Sequence, residues 1–172
     1  AKAVALYQVE RFPEAAQVLQ GNIQRYANSP TVMESQYLLA LTIATVAGKT
    51  TGDARAEATA ELQYAEAERL LREILQRRPS VILAWDTQYQ LGELLLGRAG
   101  RIADREKQKA MFGRALESYR GVASKDAIQQ TQQQYVTSLE GALRLPQYQN
   151  PQAREPLKRQ IDRETGKLGE IK

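Results

Sequence analysis

At 172 residues, 42% hydrophobic and 26% charged, the chain is sized for one domain or one segment of a longer solenoid, and it is too apolar for wholesale disorder. It has no cysteine and no histidine, which excludes disulfides, thiolate catalysis, Cys/His zinc sites and histidine-based triads. The formal net charge of +4, with both signs interspersed, permits contact with nucleic acid or an anionic membrane without arguing for either.

Alanine, leucine, glutamate, glutamine and arginine dominate, and these are strong helix formers. Proline is sparse and falls between periodic segments, as an all-α chain requires. The longest apolar run, roughly residues 37–47, is well short of the ~20 residues a membrane span needs. The chain opens at Ala1 already inside a helical pattern, as expected of a mature form or an excised domain.

In chain order, residues 1–9 read as the tail of a helix with Val4, Leu6, Tyr7 and Val9 apolar. Pro13 suits the first turn of a second helix, which places Ala15, Val18, Leu19 and Ile23 on one face and ends at "ANSP". Thr31 and Glu34 have the spacing of a capping box opening a third helix, to about Val46, that is apolar nearly all round and so should be packed on several sides. "AGKTTGD" interrupts the pattern, and Asp53 can cap a long fourth helix reaching Arg78. Its Ala/Glu-rich first half is expected to protrude or break off, and its second half carries Glu68–Arg72 and Glu73–Arg77 at i,i+4. Ser80 can cap a fifth helix to about Leu96, followed by a glycine-bearing loop, "GRAGRIAD". Asp104 can cap a sixth, to Val122, burying Met111, Phe112, Ala115, Leu116 and Tyr119. Asp126 opens a seventh, to about Leu143, whose thin stripe of Ile128, Tyr135, Leu139 and Leu143 suits a terminal capping layer. A turn-rich connector and a last polar helix, about residues 153–166, complete the chain. The expected division is a helical-repeat domain with its cap over 1–145 and a connector with a polar tail over 146–172.

The series Ala67, Leu71, Ile74, Pro79 has spacings of four, three and five; Ala115, Tyr119, Val122 repeats the first two, and Ala15, Leu19 the first. Leu39-Ala40 and Leu91-Gly92 are large–small pairs, each followed by an apolar residue, Ile43 or Leu95, and Pro30 lies nine residues before Leu39. This order resembles the tetratricopeptide repeat, a helix–turn–helix unit of 34 residues, over roughly residues 1–123. The resemblance implies an all-α, right-handed superhelical solenoid of antiparallel helix pairs, about three repeats plus a C-terminal capping helix. Ala3 to Ala15 is the standard twelve residues, but Ala40 to Ala67 is twenty-seven and Gly92 to Ala115 twenty-three. The turns inside the second and third units are therefore expected to carry about fifteen and eleven extra residues, emerging on one edge. "FPEAAQVLQGNIQRYANSP" is also similar to repeats of bacterial envelope-assembly and lipoprotein-type members, which favours the envelope or periplasm over the cytoplasm; nothing else identifies a compartment.

Other chemical signals favour plain readings. "GKTTGD" resembles the end of a phosphate-binding loop, but Ile43 stands where that motif needs a glycine and no strand precedes it. Arg98, Arg101, Arg105, Lys107, Lys109 and Arg114 form the densest basic run, yet Asp104 and Glu106 interrupt it and only Phe112 is aromatic, the pattern of a solvated surface. Acidic residues lie among basic partners rather than paired in an apolar pocket, so no catalytic dyad, metal or cofactor is expected. The glutamine-rich stretch over 129–134 reads as an exposed helix face.

Members of the tetratricopeptide family line an inner groove with residues flanking the large–small pair. Carried over, the resemblance places Glu34, Tyr37 and Leu41 there in the second unit and Asp86, Tyr89 and Glu93 in the third. The Lys and Asn residues with which chaperone-binding relatives clamp a C-terminal carboxylate are absent from those positions. Tyrosine offers rigid, partly apolar contact area at low entropy cost, and with three carboxylates beside it the groove would suit a protein or peptide segment bearing basic and apolar residues. The expectation is a non-enzymatic interaction scaffold within a larger assembly. The alternative is an RNA-binding helical-repeat protein, which the uneven spacing argues against.

Overall fold

The structure, a computed structural model, describes residues 1–29 and 31–170. Among them the chain forms eight α-helices, one 3₁₀ turn and no strand, so the fold is all-α. The helices are α1 (Lys2–Gln8), α2 (Phe12–Arg25), α3 (Val32–Lys49), α4 (Ala54–Gln76), α5 (Val81–Arg101), α6 (Arg105–Tyr119), α7 (Lys125–Ala142) and α8 (Pro151–Glu170), with the 3₁₀ turn at Pro146–Tyr148. They divide into two compact units, one ending at Leu94 and the other beginning at Leu95. Pro30, which entered the repeat spacing, lies outside the described residues.

In the first unit α1 packs on α2, α2 on α3 and α3 on α4. Tyr7 meets Phe12 edge to face across the first turn, ring centroids 5.4 Å apart. Glu10 closes that turn with a left-handed φ of 59°. Its carboxylate binds Lys49 Nζ at 2.7 Å, and the same ammonium lies 4.8 Å from the Phe12 ring centroid. The lysine of "GKTTGD" is thus engaged in packing the end of α3 on the α1–α2 turn. From Val32 to Ala47 only Glu34 is exposed, so α3 is covered on several sides, by α2 and α4 among others.

The long spacing between Ala40 and Ala67 is not a loop insertion. The connection between α3 and α4 is only residues 50–53; the added length is helix. Asp53 caps α4, accepting from the Arg55 and Ala56 amides at 3.0 Å each. The Ala/Glu-rich first half of α4 does not break off, since the helix is unbroken; most of residues 54–62 are exposed, with Ala60 buried among them. A Cβ on Gly48 would stand 3.4 Å from the Tyr64 hydroxyl, while Arg77 donates to Gln36 at 3.4 Å, so the two helices run antiparallel along their length. Buried small residues, Ala40, Ala47, Ala60 and Ala67, suit close packing of the two helices. Two other local expectations fail. Thr31 makes no cap bond to the helix, its hydroxyl being taken by Ser29 Oγ at 2.9 Å, so the capping box does not form. Glu68–Arg72 forms at 2.8 Å, but Glu73 turns back to Arg69 instead of forward to Arg77, which reaches Gln36.

The same correction holds in the second unit. Residues 97–101 of the predicted glycine-bearing loop belong to α5, and the turn is only residues 102–104. Asp104 caps α6 through the Glu106 and Lys107 amides, at 2.9 and 3.2 Å. Ser124, rather than Asp126, caps α7, accepting from Ala127 at 3.2 Å. α7 packs on α6 and on α8, so it is not the outermost layer. α8 covers it, with Leu157 joining Leu139 and Ala142 in a small core. The face of α7 that reads as polar is partly buried: Gln132 donates to the Glu164 carbonyl and carboxylate at 2.9 and 3.0 Å.

Ala15, Ala67 and Ala115, the small residues in register on α2, α4 and α6, are each 0% exposed, as is Ala40. Their i+4 partners Leu19, Leu71 and Tyr119 are buried as well. Leucine at Ala67 or Ala115 should overpack these contacts and cost ~1–3 kcal/mol, read as a lowered urea midpoint, whereas Ala65→Leu on the exposed face of α4 should leave the midpoint nearly unchanged.

Candidate functional site

The six groove residues fall on α3 and α5 within the first unit. Glu34, Tyr37 and Leu41 repeat at three and four residues along α3; Asp86, Tyr89 and Glu93 do the same along α5. Such spacing places each triplet on one face of its helix. Glu34, Asp86 and Glu93 are exposed, and Tyr37, Leu41 and Tyr89 half-buried.

Electrostatics ties the two helices together. Burial, then the Asp86 charge, then Tyr7 hold the Tyr37 hydroxyl above the usual tyrosine range. Asp86 of α5 and Tyr7 of α1 are thus each near enough to Tyr37 of α3 to oppose its ionisation. The Tyr7 hydroxyl is also 3.3 Å from Thr45 Oγ1 on α3. Tyr89 is raised first by the neighbouring Glu93 charge, then by burial and its hydrogen bond to that carboxylate, so these two groove residues are partnered within α5. Glu34 and Asp86 make no ion pair among the described residues.

Three contributors were not singled out for the site by sequence. Tyr7 reads as an apolar core position of the first helix, and only its contact with Thr45 brings it to the groove. Val4 follows Ala3 as Leu41 follows Ala40 and Glu93 follows Gly92, a register that could have marked it, and it is 45% exposed. Trp85 is 59% exposed; with Ile82 at 74% and Val81 at 65% it forms an apolar edge on the first turns of α5. Ile82, Asp86, Tyr89 and Glu93 succeed one another at four, three and four residues, so this edge continues the groove-facing stripe.

Elsewhere, a cavity of about 420 Å³ in the first unit is lined by Phe12, Ala16, Ile43, Val46, Leu62 and Gln63. A second, of about 540 Å³ in the other unit, is lined by Arg120, Gln132, Tyr135, Glu164 and Lys167. In the basic run, Lys109 binds Glu106 at 2.7 Å and Arg105 donates to Gln108 at 2.8 Å, engagements that hold α6 to itself. Among the described residues no group of histidine, cysteine, aspartate or glutamate is arranged to hold a metal ion, and no helix is long and apolar enough to cross a membrane. Compared with known proteins, the chain matches no family model and no curated sequence.

Alkaline ultraviolet titration should show a phenol ionising above the 10.0 of a free tyrosine and absent in Tyr37→Phe; Asp86→Asn should move it back towards that value. The sign follows from the raised folded-state value: burying the neutral phenol contributes stability below the free value, lost as pH rises through the raised one. Tyr37→Phe should therefore flatten the alkaline fall in stability.

Proposed function

We propose that the chain is a non-enzymatic, tetratricopeptide-like interaction scaffold whose first unit binds a protein segment carrying basic and apolar residues. The helix pairs are read as repeats with right-handed superhelical stacking. The binding surface is the face to which α1, α3 and α5 contribute Tyr7, Tyr37, Leu41 and Tyr89, together with the carboxylates of Glu34, Asp86 and Glu93. One observation carries this reading: among the described residues Glu34 and Asp86 have no ion pair, while half-buried tyrosines lie one turn away on the same helices. Rigid aromatic area supplies contact, and unneutralised carboxylates select the sign of the partner. The same carboxylates oppose a phosphate backbone, which disfavours RNA.

Affinity capture with wild-type chain and with Tyr37→Ala/Tyr89→Ala tests the surface. If the tyrosines are anchors, each truncation removes ~2 kcal/mol, and recovery of the partner falls by more than tenfold. Raising ionic strength should weaken wild-type binding, because exposed carboxylates are screened. Unchanged recovery with the double variant would remove the groove from consideration.

A further inference from the structure

The negative side of the groove and the apolar edge of α5 meet at one place. Trp85 is the most exposed aromatic side chain, and it directly precedes Asp86, a carboxylate without an ion-pair partner. The charge of the same carboxylate is felt by Tyr37 on α3. Ile82 lies one turn earlier on α5, also exposed. An indole face beside an unneutralised carboxylate is a setting for a cation that can both stack and pair. Of the two basic side chains, arginine fits better: its guanidinium is planar, weakly hydrated and able to give a carboxylate two parallel hydrogen bonds, whereas an ammonium is compact and strongly hydrated.

Spacing narrows the partner further. Ile82 and Asp86 are four residues apart on a helix, a rise of about 6 Å. In an extended segment, side chains two residues apart lie on one face at ~6.6 Å. We infer that the groove takes an extended protein segment of the form arginine–any residue–aliphatic, or its reverse, with the guanidinium stacked on Trp85 and paired with Asp86 and the aliphatic side chain on Ile82. This rests on the groove reading above and adds the identity and register of the anchoring side chain.

Trp85 is the chain's single tryptophan, so its emission reports on this site alone. The experiment titrates the whole chain with short blocked peptides holding one Arg-Ser-Leu unit, and with the same peptides carrying lysine or neutral citrulline in place of arginine. The arginine peptide should shift the emission and bind roughly tenfold tighter than the citrulline peptide, with lysine between them. In Asp86→Asn, an exposed substitution whose helicity is checked by circular dichroism, arginine and citrulline peptides should bind alike. Equal affinity of the wild type for arginine and citrulline peptides overturns the inference, as does binding without an emission change. If an arginine-free segment binds and is lost in Tyr37→Ala/Tyr89→Ala, the arginine anchor falls and the groove stands; if no peptide binds, both fall.

Discussion

The structure depends on neighbouring helices packing around fully buried alanines. Ala15, Ala40, Ala67 and Ala115 are wholly buried, and so are Leu19, Leu71 and Tyr119 four residues after Ala15, Ala67 and Ala115, and Leu39 beside Ala40. Helix spacing is set by the side chains at the contact point. A methyl group there lets the helices close; a larger side chain would wedge them apart and strand the flanking leucines.

The same economy explains how the long intervals are accommodated. Where the repeat pattern leaves surplus residues between paired helices, the chain spends them on extra turns of helix and keeps the connections short. The 23-residue α4 is the clearest case: its first half exposes mostly alanine and glutamate, yet Ala60 and Tyr64 find α3, itself lengthened to match. Asp53 and Asp104 then cap the helices that follow, satisfying amides that would otherwise be left open by such tight turns.

The groove inherits its character from this scaffold. Helices held in register by alanine on one side present tyrosines and carboxylates at the same three–four spacing on another. Half-burial makes each phenol harder to ionise, and the carboxylates beside them push in the same direction. In the proposed groove, neutral tyrosines would stand beside exposed carboxylates, a combination suited to selecting a partner by charge.

Helix periodicity, alanine register and the capping aspartates are local properties, and they were legible in the sequence: the first two helices, the Asp53 and Asp104 caps and the buried face of α6 follow from spacing alone, although Val4 and Val9 are exposed. So did the positions of Glu34, Tyr37, Asp86 and Tyr89 on their helices, because a helix face is set by intervals of three and four. What sequence could not resolve depends on partners distant in the chain. Whether surplus residues become loop or helix is not set by intervals alone: the residues before Ala67 extend α4, where Ala60 and Tyr64 are buried. Gln132 reads as solvent-facing until Glu164, thirty-two residues on, gives it a hydrogen-bonding partner. Tyr7 joins the groove only through Thr45, and Trp85 is left at the surface because nothing within the first unit covers that turn of α5. Local intervals determine which way a side chain faces; only packing determines what, if anything, it faces.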